Sequence, residues 1–218
     1  VLANWTDAGS VGGLVTTHME DRALGVRIRA DLEDDGVTPV AGNRAQGVVR
    51  AIGGGDWKIA MRYRLDRPGV LINTSSTVLS GGPVFIDGAD LGTASWYGVH
   101  QYLSGQNLLN AGTLTFQTEA GADRFDAGAG QYGFTTIFNG GFGGPWMGFT
   151  DFDVFIERTG TDLTMYMGPA RCAAHKIQTW TVTAGAGWIG MRLQVQSGDG
   201  NHLQALITAY DDTLVDFP

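Results

Sequence analysis

The chain has 218 residues, 34 of them glycine and 43% hydrophobic, so it can bury a core and is too apolar to be a disordered segment. Its 14 basic and 22 acidic residues leave a net charge of −8 at pH 7. With no basic run, that balance argues against nucleic acid and anionic membrane as partners.

The single cysteine, Cys172, excludes an internal disulfide and a cysteine-based zinc cluster, and it reads as a small buried or half-buried residue. No run of about 18 apolar residues is present to span a membrane. The start, Val1-Leu2-Ala3-Asn4-Trp5, lacks the basic and apolar regions of a signal peptide. A start without Met is what a processed chain, or a piece of a longer polypeptide, would show.

Residues 1–19 mix Gly, Ser and Thr with isolated apolar residues and read as an N-terminal arm with one short strand. The arm would pack on the body or on a neighbouring chain, and residues 20–218 read as one domain. Leu24 to Ala30 alternates and should be a strand, whereas Asp31 to Gln46 is acidic and loop-like. Val48 to Ile52 precedes Gly53-Gly54-Gly55-Asp56. Then, from Trp57 to Leu65, Trp57, Ile59, Met61, Tyr63 and Leu65 share one face and Lys58, Arg62 and Arg64 the other. Shorter strands are expected at Leu71-Ile72 and Pro83 to Ile86.

Ser95 to Leu103 alternates as well, with Trp96, Gly98, His100 and Tyr102 opposite Tyr97, Val99, Gln101 and Leu103. Thr113 to Thr118 looks like its partner. The glycine-rich stretch from Gly121 to Gly144 offers one strand, at Phe134 to Phe138. From Phe149, Phe152, Val154 and Ile156 point one way and Asp151, Asp153 and Glu157 the other. A tight polar turn, Arg158 to Asp162, has glycine where a positive φ is needed. The chain returns through Leu163 to Met167, and Ile177 to Val182 is the next strand of the same sheet. Trp188 to Val195 and Leu203 to Tyr210 read as a closing hairpin with a five-residue turn, Ser197 to Asn201. No stretch has sustained helical periodicity, and many short strands with turn signals indicate a sandwich or jelly roll.

The Gly-Asp-Trp-x-Ile lead-in to the strand at Trp57, the hairpin around Ile156-Glu157-Arg158 with its return Tyr166, and the closing strands resemble the concanavalin-like, laminin G-like jelly rolls. The resemblance runs from about Val48 to Leu65 and from Phe149 to Phe217, about half the chain. It implies an all-β fold of two antiparallel sheets. Because it is made of strand and turn residues, it speaks to fold far more than to function.

Laminarinase-like enzymes of this fold carry Glu-x-Asp-x-Glu on one strand, with nucleophile and acid/base about 5 to 5.5 Å apart. Here Asp151 and Asp153 are followed by Phe155 at the third position, and Glu157 lies further on. Asp151 to Glu157 spans roughly 20 Å of extended strand, too far to act on one bond. These carboxylates therefore read as solvated or turn-contacting, and the chain as no enzyme. No Gly-x-Ser-x-Gly elbow is present, and His18, His100, His175 and His202 form no metal-binding pair. Gly53-Gly54-Gly55 leads into a strand, so it offers no helix terminus to an anion.

Many laminin G-like domains hold calcium at a sandwich rim, and Asp199, Asn201, Asp211 and Asp212 are the oxygen-rich candidates here. Trp57, Trp180 and Trp188 are assigned to the core. Trp96, Tyr97, His100 and Trp146 are the candidate ligand-binding residues, with rings that could stack on sugar faces. The expected function is a non-catalytic carbohydrate-binding or adhesion module of the kind found on phage fibres and spikes, contacting a host-surface glycan from the virion. The alternatives are a purely structural virion component that partners other virion proteins, and a glycan-cleaving enzyme of the same fold. A homo-oligomer stays open, since no heptad repeat sets a subunit number.

Overall fold

A computed structural model describes residues 6–11, 18–22, 25–31, 42–66, 78–89, 95–104, 113–121, 135–140, 151–172, 174–197 and 204–210. Side chains are described at 47, 49–64, 81–89, 95–99, 151–172, 174 and 176–193. The strands in chain order are β1 (Thr6–Val11), β2 (His18–Arg22), β3 (Gly25–Asp31), β4 (Gly42–Ile52), β5 (Trp57–Asp66), β6 (Val78–Asp87) and β7 (Ser95–Ser104). They continue with β8 (Thr113–Gly121), β9 (Thr135–Gly140), β10 (Asp151–Thr159), β11 (Asp162–Pro169), β12 (His175–Thr181), β13 (Gly187–Ser197) and β14 (Gln204–Tyr210).

Two seven-stranded antiparallel sheets result. The first runs β1-β4-β13-β6-β7-β8-β9 and the second β12-β11-β10-β5-β14-β3-β2. Across the sandwich β3 contacts β4, β14 contacts β13 and β5 contacts β6, which brings the two sheets together. This is the two-sheet jelly roll that the sequence resemblance implies.

Period-two alternation decides which side chains enter the core. On β5 and β10 the register pairs Ile59 with Ile156, Met61 with Val154 and Tyr63 with Phe152. All but Ile59 are at most 2% exposed. Their neighbours on β11, Met165 and Met167, are fully buried. Burial of each such side chain contributes about 1.5–3 kcal/mol. The first sheet answers with Phe85, Val99, Ile189, Met191 and Leu193, each fully buried. Trp57 joins the two layers, its ring 5.8 Å from that of Phe85. Gly187 is obligatory here, because a Cβ would stand 2.6 Å from the Ile86 carbonyl oxygen and 2.8 Å from the Phe85 ring.

Several sequence expectations change. β13 and β14 are not a hairpin: β13 pairs with β4 and β6 in the first sheet, and β14 with β3 and β5 in the second. The connection therefore crosses between sheets, which alternation within each strand cannot reveal. Gly42 to Gln46 is strand rather than loop, paired along β13. Within residues 1–19, read as an arm with one short strand packing on the body or a neighbour, β1 pairs with β4, and His18 and Met19 of β2 pair with β3. Cys172 is exposed rather than buried, because it falls in the turn after β11. Leu71-Ile72 lies outside the described residues.

Candidate functional site

The site begins with the end of the sandwich where β4–β5, β10–β11 and β12–β13 turn. Thr159 pairs with Asp162, leaving a two-residue turn in which Gly160 has φ 61°, the left-handed value glycine takes without strain. Arg158, expected in that turn, is instead the last inward residue of β10 and is 1% exposed. It follows Phe152, Val154 and Ile156 in the alternation, so its guanidinium closes the end of the core. It donates from Nε to the Gly55 carbonyl (2.8 Å), from Nη1 to Gly185 (2.6 Å) and from Nη2 to Gly53 (3.1 Å). It also lies over the Trp57 ring, 5.4 Å from the centroid. Neighbouring contacts fix the same loops: the Gly160 N–H donates to Asp56 Oδ1 (2.7 Å) and the Val182 N–H to the Thr161 carbonyl (2.8 Å). Thr183 donates its N–H (2.8 Å) and its hydroxyl (2.5 Å) to Asp87.

This pinned rim borders the face of the first sheet that is turned away from the core. Register puts Trp188, Ile86 and Trp96 in one cross-strand row, flanked by Ala51 and Gly121. Phe85, next to Ile86, touches Trp57 in the core, so this row faces outward. Trp188 is half-buried and its Nε1 donates to the Ala89 carbonyl (3.1 Å), which fixes the ring at the rim. Ala51 beside it is exposed. Deeper on the same face, Arg192 sits between Gly47 and Gly82 on the adjacent strands. The absence of side chains there lets it lie along the sheet, 4.6 Å from the centroid of the Trp96 ring. Arg192 is 1%, Ile86 2% and Trp96 4% exposed.

The candidate ligand residues are thus divided. Trp96 is on the outward face but buried, so it is not the exposed stacking ring expected. Tyr97 points to the opposite side, half-buried, with its ring 5.8 Å from that of Trp180. Burial raises the Tyr97 phenol pKa, and the charge of Asp87 adds to the effect. Backbone alternation puts position 100 in phase with Trp96, but the His100 side chain lies outside the described residues, as does Trp146. Trp188, assigned from sequence to the core, is half-exposed on the outward face. The signal was available: Ile189, Met191 and Leu193 form the uninterrupted aliphatic side of β13, which leaves Trp188 and Arg192 on the other.

The carboxylates lie on the outward face of the second sheet. Asp153 is 4% exposed and takes Arg62 Nε (2.6 Å), Arg62 Nη2 (3.1 Å) and the Arg171 N–H (2.8 Å). Arg171 has φ 65°, so the carboxylate holds a tight turn in place. Glu157 accepts from the Tyr166 hydroxyl (2.9 Å) and faces Lys58 Nζ at 3.5 Å. Both are tied to structural partners, and they stand four residues apart on one strand. Asp199, Asn201, Asp211 and Asp212 lie outside the described residues. Among the described residues no three His, Cys, Asp or Glu side chains gather as a metal set.

No family model and no curated protein matches the chain by sequence. By structure, it is similar over 96% of its length to 95% of a functionally unknown protein from Saccharomyces cerevisiae, at 10% identity and TM-score 0.51. A lectin from Bauhinia forficata in complex with GalNAc is similar over 97% of this chain and 95% of its own, at 8% identity and TM-score 0.47. The CBM2 module of the evolved Dit of Lactobacillus casei BL23 phage J-1 is similar over 79% and 71%, at 10% identity and TM-score 0.39. At such identities the likeness concerns the fold.

Proposed function

We propose that this chain is a non-catalytic carbohydrate-binding module that meets glycan on the outward face of the first sheet, at the rim carrying Trp188. The observation that supports this is the cross-strand row Trp188–Ile86–Trp96, in which Ile86 and Trp96 are buried and Trp188 alone is half-exposed, at a rigid edge of the sheet. An aromatic ring with an apolar face and one satisfied N–H suits a sugar, whose faces are apolar and whose rim is polar. Because the rim is already held by Arg158 and Asp87, little ordering cost falls on binding. The non-catalytic part is supported by the engagement of Asp153 and Glu157 with structural partners.

The finer reading is a virion surface protein, a fibre or spike contacting a host glycan, with weak contacts strengthened by multiple copies. Calcium, held by Asp199, Asn201, Asp211 and Asp212, belongs to the same proposal. The test is a glycan array probed with the domain assembled as a multimer, with and without calcium, beside Trp188→Ala. Binding that Trp188→Ala abolishes supports the reading, and loss without calcium adds the metal. No binding in either condition, or hits that Trp188→Ala leaves intact, overturns it in favour of a structural virion role.

A further inference from the structure

We infer that Arg158 is a positioning residue for the Trp188 surface, acting through loop backbone without touching a ligand. The inference rests on the glycan-binding reading only for its consequence in binding. The two loops that frame this end, 53–56 and 183–186, contain Gly53, Gly54, Gly55, Ala184, Gly185 and Ala186, which have almost no side chain with which to fix their own shape. Their shape is imposed from beneath. Arg158 reaches both, donating to Gly53 and Gly55 in one loop and to Gly185 in the other. Gly185 is followed two residues later by Gly187, which packs against Phe85, and then by Trp188.

The loops are also in direct contact. A Cβ on Gly54 would stand 3.0 Å from the Ala184 carbonyl oxygen. A planar fork with five donors can satisfy three carbonyls on two loops at once, whereas a lysine ammonium is a point charge that cannot span them. The carbonyls in turn give the buried cation its acceptors, so each side of the arrangement requires the other. Without the fork, the 183–186 loop keeps, among the described residues, Thr183 on Asp87 and Val182 on Thr161, both ahead of Gly185, and beyond it the bond of Trp188 Nε1 to the Ala89 carbonyl.

The test uses the domain labelled with 5-fluorotryptophan, the Trp188 fluorine resonance being assigned with Trp188→Phe, together with amide hydrogen exchange. Arg158→Lys, which keeps the charge and loses the fork, is expected to shift or broaden the Trp188 resonance. It should also speed exchange in peptides covering 53–56 and 183–188 by about tenfold or more. Exchange across Phe152 to Ile156 should stay near wild type. Ile156→Val is the control for stability alone, and it should leave the Trp188 resonance in place. An unmoved Trp188 resonance with wild-type loop exchange in Arg158→Lys overturns the inference, as does an equal shift in Ile156→Val. If Arg158→Lys does not fold, Gly54→Ala, at an exposed position, wedges the same loops apart from outside. A moved Trp188 resonance there supports the inference, and an unmoved one overturns it. None of these readouts uses a glycan, so a failed binding screen and a failed positioning test are separate results.

Discussion

The two outward faces of the sandwich are built on opposite principles. On the second sheet, register sets Lys58 opposite Glu157, Arg62 opposite Asp153 and Arg64 opposite Asp151. Charges are matched strand to strand, and the apolar Ala60 and Phe155 (7% and 5% exposed) lie between the long side chains. On the first sheet the outward face carries Val49 and Val84 in one cross-strand row and Ile86 and Trp96 in the next, none more than 4% exposed, with one cation laid over glycines. A face that has settled its own charges has little left to offer a ligand. What the first sheet's outward face leaves for recognition is its rim, where Trp188 is half-exposed beside the exposed Ala51.

The largest expected effect tests whether the first sheet's outward row is buried as described. Ile86→Ala should destabilise the domain by about 2–5 kcal/mol, as for a core residue, in urea unfolding. A loss near that of an exposed alanine substitution would mean the face is open and the contrast false.

On the second sheet, Arg62→Met leaves the Asp153 carboxylate with a backbone N–H and no cation. The expected cost is about 1–3 kcal/mol, less than for a fully buried pair because Arg62 is partly exposed. Lys58→Ala, whose side chain is 62% exposed, should cost about 0.5 kcal/mol or less. Equal costs for the two would show that the ladder is uniform rather than anchored at Asp153.

A smaller effect appears in alkali. Burial pushes the Tyr63 phenol far above its ordinary 10.0, and the hydrogen bond that Tyr166 donates to Glu157 raises that phenol too. Both folded pKa values lie above the unfolded one, so the neutral form is favoured by folding. Stability from these groups is complete below pH 10 and falls as pH rises through and beyond it. Urea midpoints from pH 8 to 11 should stay level and then decline, and Tyr63→Phe should flatten the decline. A decline unchanged in Tyr63→Phe would place its source elsewhere.

Much of the fold was legible because β strands announce themselves by phase. β5, β10 and β11 alternate without interruption, and the Gly160 turn joins β10 to β11 as expected. Phase reports which side of a strand is apolar, not which sheet the strand joins, so β13 and β14 look like a hairpin in sequence and yet lie in different layers. The site was less legible for a related reason. Trp188 and Arg158 carry the wrong chemistry for where they sit: an indole on an outward face, and a cation in phase with Phe152, Val154 and Ile156. Composition pulled each toward its usual environment, and only the phase of their neighbours said otherwise. The burial of Trp96 had no signal in sequence, because it depends on what covers the sheet from outside.

The most direct test of the account is to ask which face a glycan touches. Backbone amide shifts of the labelled domain would be followed while an oligosaccharide from the array is titrated in. The largest changes are expected at Ala51, Ile86 to Ala89 and Trp188, on the first sheet's outward rim. Changes centred on Lys58, Arg62, Phe155 and Tyr166 would put the ligand on the charge-matched face and contradict it.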